Sequence, residues 1–272
     1  MAIQPSQPQG IGGVLDTAFQ LYKSSLAVVW PISLLLAIVG APPTLYSIFS
    51  RPEVAQPASV DELLNMVLGP SDPMATAIAW ISGLLSLWVM SALYLKQRAA
   101  GMDAEMSVGA ALKVAARRLG PMVLATFLAL LAVVIGIALL LVPGLILLVT
   151  LMMYMLLLLF EDKSAVESLT ASHNLVWGNW WRSSAILTVA LILVLVIFAA
   201  IGFVAVIAAP FADLAVGDIV VAAMIGELVF NLAFNVLLMP FFTAVMIALY
   251  WDLKLRKEGG DLAARVNALN AA

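Results

Sequence analysis

The sequence predicts an all-α polytopic membrane protein of six transmembrane helices with amphipathic helices at its cytoplasmic interface, and three observations carry that expectation. Of 272 residues, 64% are hydrophobic and 11% are charged, too apolar a composition for a water-soluble domain. Residues 119–160 run for 42 positions without a charge, room for two spans of about 20 residues each, and further uncharged runs at 24–50, 73–95, 183–212 and 228–251 bring the total to six. Finally, twelve of the thirteen lysines and arginines fall on the side that holds both termini, leaving Arg51 alone opposite. By the positive-inside rule that side is cytoplasmic. A membrane β-barrel is excluded because its strands alternate apolar and polar residues over about ten positions, whereas these runs are apolar on every face.

In chain order, residues 1–13 form a polar lead expected to be disordered, 14–251 a single membrane domain, and 252–272 a cytoplasmic tail. The lead lacks a basic region running into an apolar core, so no signal peptide is expected. An amphipathic segment, VLDTAFQLYKSSL, precedes the first span at 26–49, whose Pro42-Pro43 pair should kink or unwind its outer part. The acidic loop 50–72 leads to span two at 75–95, where Ala79, Ser82, Gly83 and Ser86 make a small-residue face suited to close helix approach. Ser107 opens a second amphipathic helix, VGAALKVAARRL. Spans three and four, at 119–142 and 145–160, are joined by Pro143-Gly144, a helix-breaking pair that predicts an antiparallel hairpin.

The segment EDKSAVESLTASHNLVWGNWW follows. Ser164 with Glu167 predicts a capping box, Gly178 a C-terminal stop, and Val166, Leu169, Val176, Trp177 and Trp180 an apolar face for a helix lying on the bilayer surface. Spans five and six, at 183–209 and 228–251, frame a short outer loop holding Asp213 and Asp218. An amphipathic helix thus precedes a two-helix hairpin three times, near Val14, Val108 and Val166, a regularity that ordinary insertion also produces.

Candidate functional residues are few. Glu227, Asn231 and Asn235 recur at a spacing of four, placing a polar face on span six; such groups usually face a bundle interior or a water-filled cavity. Asn235, the deepest, is expected to hydrogen-bond to a neighbouring helix. Pro240 marks a kink in the same span. Lys113, Arg117 and Arg118, with Lys254, Arg256 and Lys257 of the tail, are candidate contacts for anionic headgroups. His173 is the sole histidine and there is no cysteine, so thiolate chemistry is excluded and a lone imidazole makes neither a triad nor a typical zinc site. No phosphate-binding glycine loop, nucleophile elbow or paired-histidine helix is present, and neither catalytic residues nor a cofactor nor a metal is expected.

Three segments, VLDTAFQLYKSSLAVVWP, LLVPGLILLVTLMMYMLLLLFEDKSAVESLTASHNLVWGNWWR and ALYWDLKLRKEGGDLAARV, together resemble the six-helix membrane domain of membrane-anchored glycerophosphodiester phosphodiesterases and of related stand-alone bacterial inner-membrane proteins. The resemblance implies a fold and a bacterial inner-membrane location. It does not imply phosphodiesterase activity, which in those enzymes belongs to a separate soluble barrel with paired histidines, acidic residues and a metal. The expected role is non-enzymatic: scaffold, assembly partner or regulator in envelope or lipid processes. The alternative, from the polar face and the kinked spans, is a transporter or channel for a small or lipophilic solute. Expected partners are the lipid bilayer and a protein, either another chain or a second copy of this one, and no nucleic acid.

Overall fold

The computed structural model describes residues 3–50, 72–216 and 219–270, with side chains placed except at 48, 201, 204–225, 258 and 260–270. Arg51, Glu53, Asp61, Glu62 and Asp218, and the side chains of Asp213 and Arg265, lie outside the described residues. The chain is an all-α multi-pass membrane protein: among the described residues there is no strand, and six helical stretches are long and apolar enough to cross a bilayer.

Helix α1 (Ile11–Gly40) buries Val14, Ala18, Leu21, Ser25, Val29, Ile32 and Leu36, a stripe recurring every three or four residues along its whole length. The first amphipathic segment is therefore continuous with span one, where a separate surface helix was expected. The predicted interruption falls at Ala41, and Pro42-Pro43 open α2 (Pro42–Ser50), where a missing N–H leaves no helical bond unmade. Tyr46 of α2 donates a 2.5 Å hydrogen bond to Asp72, whose carboxylate also caps α3 (Pro73–Gly101) by accepting from the Met74 N–H at 2.9 Å.

Ser107 caps α4 (Val108–Arg117) as expected, accepting from the Ala110 N–H at 3.1 Å. The hairpin of α5 (Leu119–Leu139) and α6 (Leu141–Leu151) turns at Leu140, one extended residue placed before Pro143-Gly144. The two expected breakers sit inside the first turn of α6, where proline's lost donor costs nothing. Close packing is what their neighbourhood requires: a Cβ on Gly144 would meet the Ile137 backbone nitrogen at 2.6 Å. By contrast Gly83, assigned to close helix approach, is exposed with nothing within 4 Å of a Cβ built there.

Span four is broken between α6 and α7 (Tyr154–Phe160), although no proline or glycine lies at the break. A single hydroxyl fills it. Ser172 donates to Thr150 O at 2.7 Å and accepts from the Met153 N–H at 3.0 Å, satisfying an acceptor and a donor that hydrocarbon would leave unpaired. Ser172 belongs to α8 (Ala165–Val176), which carries the predicted capping box and ends before Gly178 at φ 92°. Its buried face is Ala165, Ser168, Ser172, Leu175 and Val176, while Val166 and Trp177 point outward. Three of the five inward residues are small, and two large apolar ones point outward, an arrangement suited to a helix with lipid rather than water on its outer side.

Helix α9 (Trp180–Val216) is the most exposed of the six spans, and the last is the most enclosed. That last span comprises α10 (Ile219–Ala233), a π-helical turn at Phe234–Leu238, and α11 (Met239–Asn270). Helices α1, α3 and α11 form the centre, with Leu21, Ile32, Leu93, Ile247, Leu249 and Leu253 fully buried. The tail boundary expected at 252 falls within α11, which runs on without interruption.

Candidate functional site

Charged residues gather at one end of the bundle, where the start of α1 meets α11. Asp252, fully buried, accepts through Oδ1 from the Gln9 N–H at 2.8 Å and through Oδ2 from Arg182 Nε and Nη2 at 3.2 and 3.0 Å and Arg256 Nε at 2.9 Å. Both guanidiniums also donate to Gln9 O, at 2.6 and 2.5 Å, and Thr17 donates to the Gln9 side chain at 2.9 Å. The lead expected to be disordered is therefore fastened here, and again at Ile3, whose N–H donates to Gly101 O at 2.8 Å. A buried carboxylate is tolerable only with such charge-assisted partners. The sequence showed Asp252 only as the first residue of a tail; the missed signal was its i,i+4 partner Arg256, together with Arg182 at the foot of span five.

Beside this clamp, Glu161 stands at the end of α7 and joins it to α11. Its Oε1 accepts from Tyr250 Oη at 2.7 Å and pairs with Lys254 Nζ at 2.8 Å, and its Oε2 pairs with Lys163 Nζ at 3.3 Å. Partial burial alone would raise this carboxyl, but the hydrogen bonds from Lys254 and Tyr250, the Lys254 charge and Lys163 outweigh it and hold the pKa below the ordinary 4.5. The link therefore contributes stability above that ordinary value, lost as pH falls through the lower folded-state value. In thermal melts against pH, the wild-type protein is expected to be more stable than Glu161→Gln at pH 7, with the gap closing below about pH 4; a gap unchanged from pH 7 to 3 would refute the assignment. Phe160, the preceding residue, packs edge-on against Tyr250 and carries the Arg98 guanidinium 4.3 Å above its ring.

These pairings change the reading of the six basic candidates. Lys113 and Arg117 are exposed on α4. Arg118 pairs with Asp162, Lys254 with Glu161, and Arg256 with Asp252, while Lys257 donates to Asn174 O at 2.8 Å. Four of the six are thus engaged within the protein, Arg256 both within α11 and to Gln9 O of the lead, while the α4 pair is exposed. His173 stacks on Trp177 with ring centroids 5.0 Å apart, and among the described residues no group of three His, Cys, Asp or Glu is placed to hold a metal.

The polar face of span six is not assembled into a site. Glu227 is exposed, Asn231 half-buried, and Asn235 buried. The Asn235 amide donates back within its own helix, to Asn231 O at 3.0 Å and Asn231 Oδ1 at 3.4 Å, instead of to a neighbouring helix as expected. The reason lies in the π turn: the Met239 N–H reaches Phe234 O, five residues back, next to Pro240, which has no N–H to give, and the side-chain amide serves the disturbed ladder. The groove nearby is apolar, lined by Trp30 and Leu34 of α1 and by Val229, Leu232, Ala233, Val236 and Leu237.

A further buried polar group that crosses helices is Gln97, two residues beyond the end predicted for span two. Fully buried, it donates to Ser25 Oγ of α1 at 3.1 Å and to Pro240 O of α11 at 2.9 Å, and it accepts from Thr243. Both of its N–H donors and its carbonyl oxygen are thus engaged among the three central helices. No protein-family model matches the chain, and neither a curated protein nor a solved structure does.

Proposed function

We propose that this chain is a non-enzymatic protein of a bacterial inner membrane, with both termini cytoplasmic, acting as scaffold, assembly partner or regulator in an envelope or lipid process. The observation that carries the reading is where the buried polar side chains go. In membrane proteins such groups mark solute paths and reacting centres; here Gln97, Asp252 and Asn235 hold backbone and side chains of the bundle itself. The orientation rests on Gln9 meeting Asp252 and Arg256, which puts both ends of the described chain on the basic side, and on the positive-inside rule. The resemblance to the six-helix domain of membrane-anchored glycerophosphodiester phosphodiesterases supports the same location.

Native mass spectrometry after gentle extraction from the source membrane tests the role. A second protein at fixed stoichiometry is the expected result. A lone chain retaining one small molecule would move the weight to the transport reading, which keeps the π turn and Pro240 as its motive. For that reading the decisive variant is Glu227→Ala with Asn235→Leu, expected to complement a deletion strain as well as the parent; lost complementation at normal abundance would reverse the choice. Reporter fusions after Gly101, Ala171 and Ala272 are expected on the cytoplasmic side, and after Asp61 on the other.

A further inference from the structure

We propose that the cleft between α7, α8 and α11 is a binding site for a phosphate ester, the headgroup of an anionic phospholipid. The cleft encloses about 240 Å³ and is lined by Lys163, Lys254 and Lys257, by Glu161, and by the apolar side chains of Leu157, Ala171 and Leu175. Its volume equals that of about eight liquid waters, room for a phosphate with a small polar substituent.

Three ammonium groups share this concave space with one carboxylate. Glu161 balances one of the three charges, so the lining carries an excess of two positive charges that a bound anion would neutralise. The carboxylate already shows how an anion is held there, with Lys254 at one oxygen and Lys163 at the other. An ammonium has three donors. Lys163 turns one to Glu161 and Lys257 one to Asn174 O, which leaves donors on both for a phosphate. The wall of Leu157, Ala171 and Leu175 suits the glycerol and ester region beneath a headgroup more than a bare ion. Basic pockets between membrane helices at the cytoplasmic leaflet are where anionic headgroups bind, so the physiological ligand rests on the orientation proposed above, while binding in detergent does not.

The test uses the full chain purified in a neutral detergent, with binding followed by native mass spectrometry and thermal stability. Dihexanoyl phosphatidylglycerol is expected to bind saturably, and dihexanoyl phosphatidylcholine not to compete with it. Lys163→Gln with Lys257→Gln is expected to weaken binding by about tenfold or more, whereas Lys23→Gln, which removes an exposed charge on α1 outside the cleft lining, leaves it unchanged. The conservative pair Lys163→Arg and Lys257→Arg is expected to retain binding, and should the glutamine pair not fold, this pair and the phosphatidylglycerol preference decide the matter. Glycerol phosphate displacing the lipid at equal concentration would keep the site and make a soluble phosphate ester its ligand. Non-saturable binding, no preference over phosphatidylcholine, or equal weakening by Lys23→Gln and by the cleft pair would overturn the proposal. A site that binds in detergent while reporter fusions place the basic end outside would sink the orientation and leave the pocket standing.

Discussion

Asp252→Ala is expected to cost about 3–5 kcal/mol, the usual penalty for removing one partner of a buried ion pair and leaving the other charge behind. Two charges would be left here, because Arg182 and Arg256 both point at the same oxygen and the fully buried carboxylate is their shared counter-ion. The Gln9 N–H would also lose its acceptor, so the lead, α1, α9 and α11 come apart at one point. A loss of that size is a large part of the stability of a typical folded domain. The expected readout is a large fall in detergent melting temperature and in membrane abundance. Asp252→Asn keeps an oxygen for Gln9 while giving up the charge, and should fall between. Removing all three charges with Asp252→Leu, Arg182→Met and Arg256→Met should recover stability relative to Asp252→Ala, since the stranded charges are the main penalty. A triple variant no better than the single one would refute that account.

Gly144→Ala should open the α5–α6 hairpin. The added carbon would stand 2.3 Å from Ile137 Cγ1, 2.6 Å from its nitrogen and 2.9 Å from its Cα, and two of those three atoms are backbone that cannot swing aside. Gly136 faces Gly144 from α5, where a Cβ would lie 2.9 Å from the Gly144 Cα. Overpacking of this kind costs about 1–3 kcal/mol or more. Gly83→Ala is the matched control: also helical, but with nothing within 4 Å, it should be neutral or stabilising by up to about 1 kcal/mol. The sequence has no cysteine, so a pair introduced at Thr126 of α5 and Tyr154 of α7, whose side chains meet at 2.9 Å, reports separation through a bifunctional thiol reagent of matching length. Equal melting temperatures for the two alanine variants would show that the close approach at Gly144 contributes nothing.

Which parts of this architecture the sequence disclosed follows from what each depends on. Span count depends on hydropathy over about 20 residues, and five uncharged runs, one of them long enough for two spans, made it plain. The caps at Ser107 and Ser164 depend on local backbone chemistry, and both formed where expected. Helix faces are another matter. In water an apolar stripe points to the core; in lipid both sides of a helix are apolar, and size and polarity decide instead. Of the stripe read as lying on the bilayer, Val166 and Trp177 are exposed, whereas Val176 is turned inward together with Ser168 and Ser172, which no apolar pattern marks. Gly83 and Gly144 were exchanged for the same reason, since only the partner helix determines which glycine lies at a contact. The clamps at Gln97 and Asp252 join residues up to 247 positions apart, a separation that no local pattern encodes.

The central position of α11 has a consequence for biosynthesis. Gln97 and Thr243 are 146 residues apart, which at about 5–20 residues per second separates their synthesis by about 7–29 s. Through that interval the Gln97 carboxamide has Ser25 on α1 but neither Pro240 O nor Thr243, and the groove between α1 and α3 stands unfilled. Helix α11, synthesised after the other five spans, is thus the one that closes the bundle, so a chain stalled before it presents the insertion machinery with an open groove and an amide short of its partners.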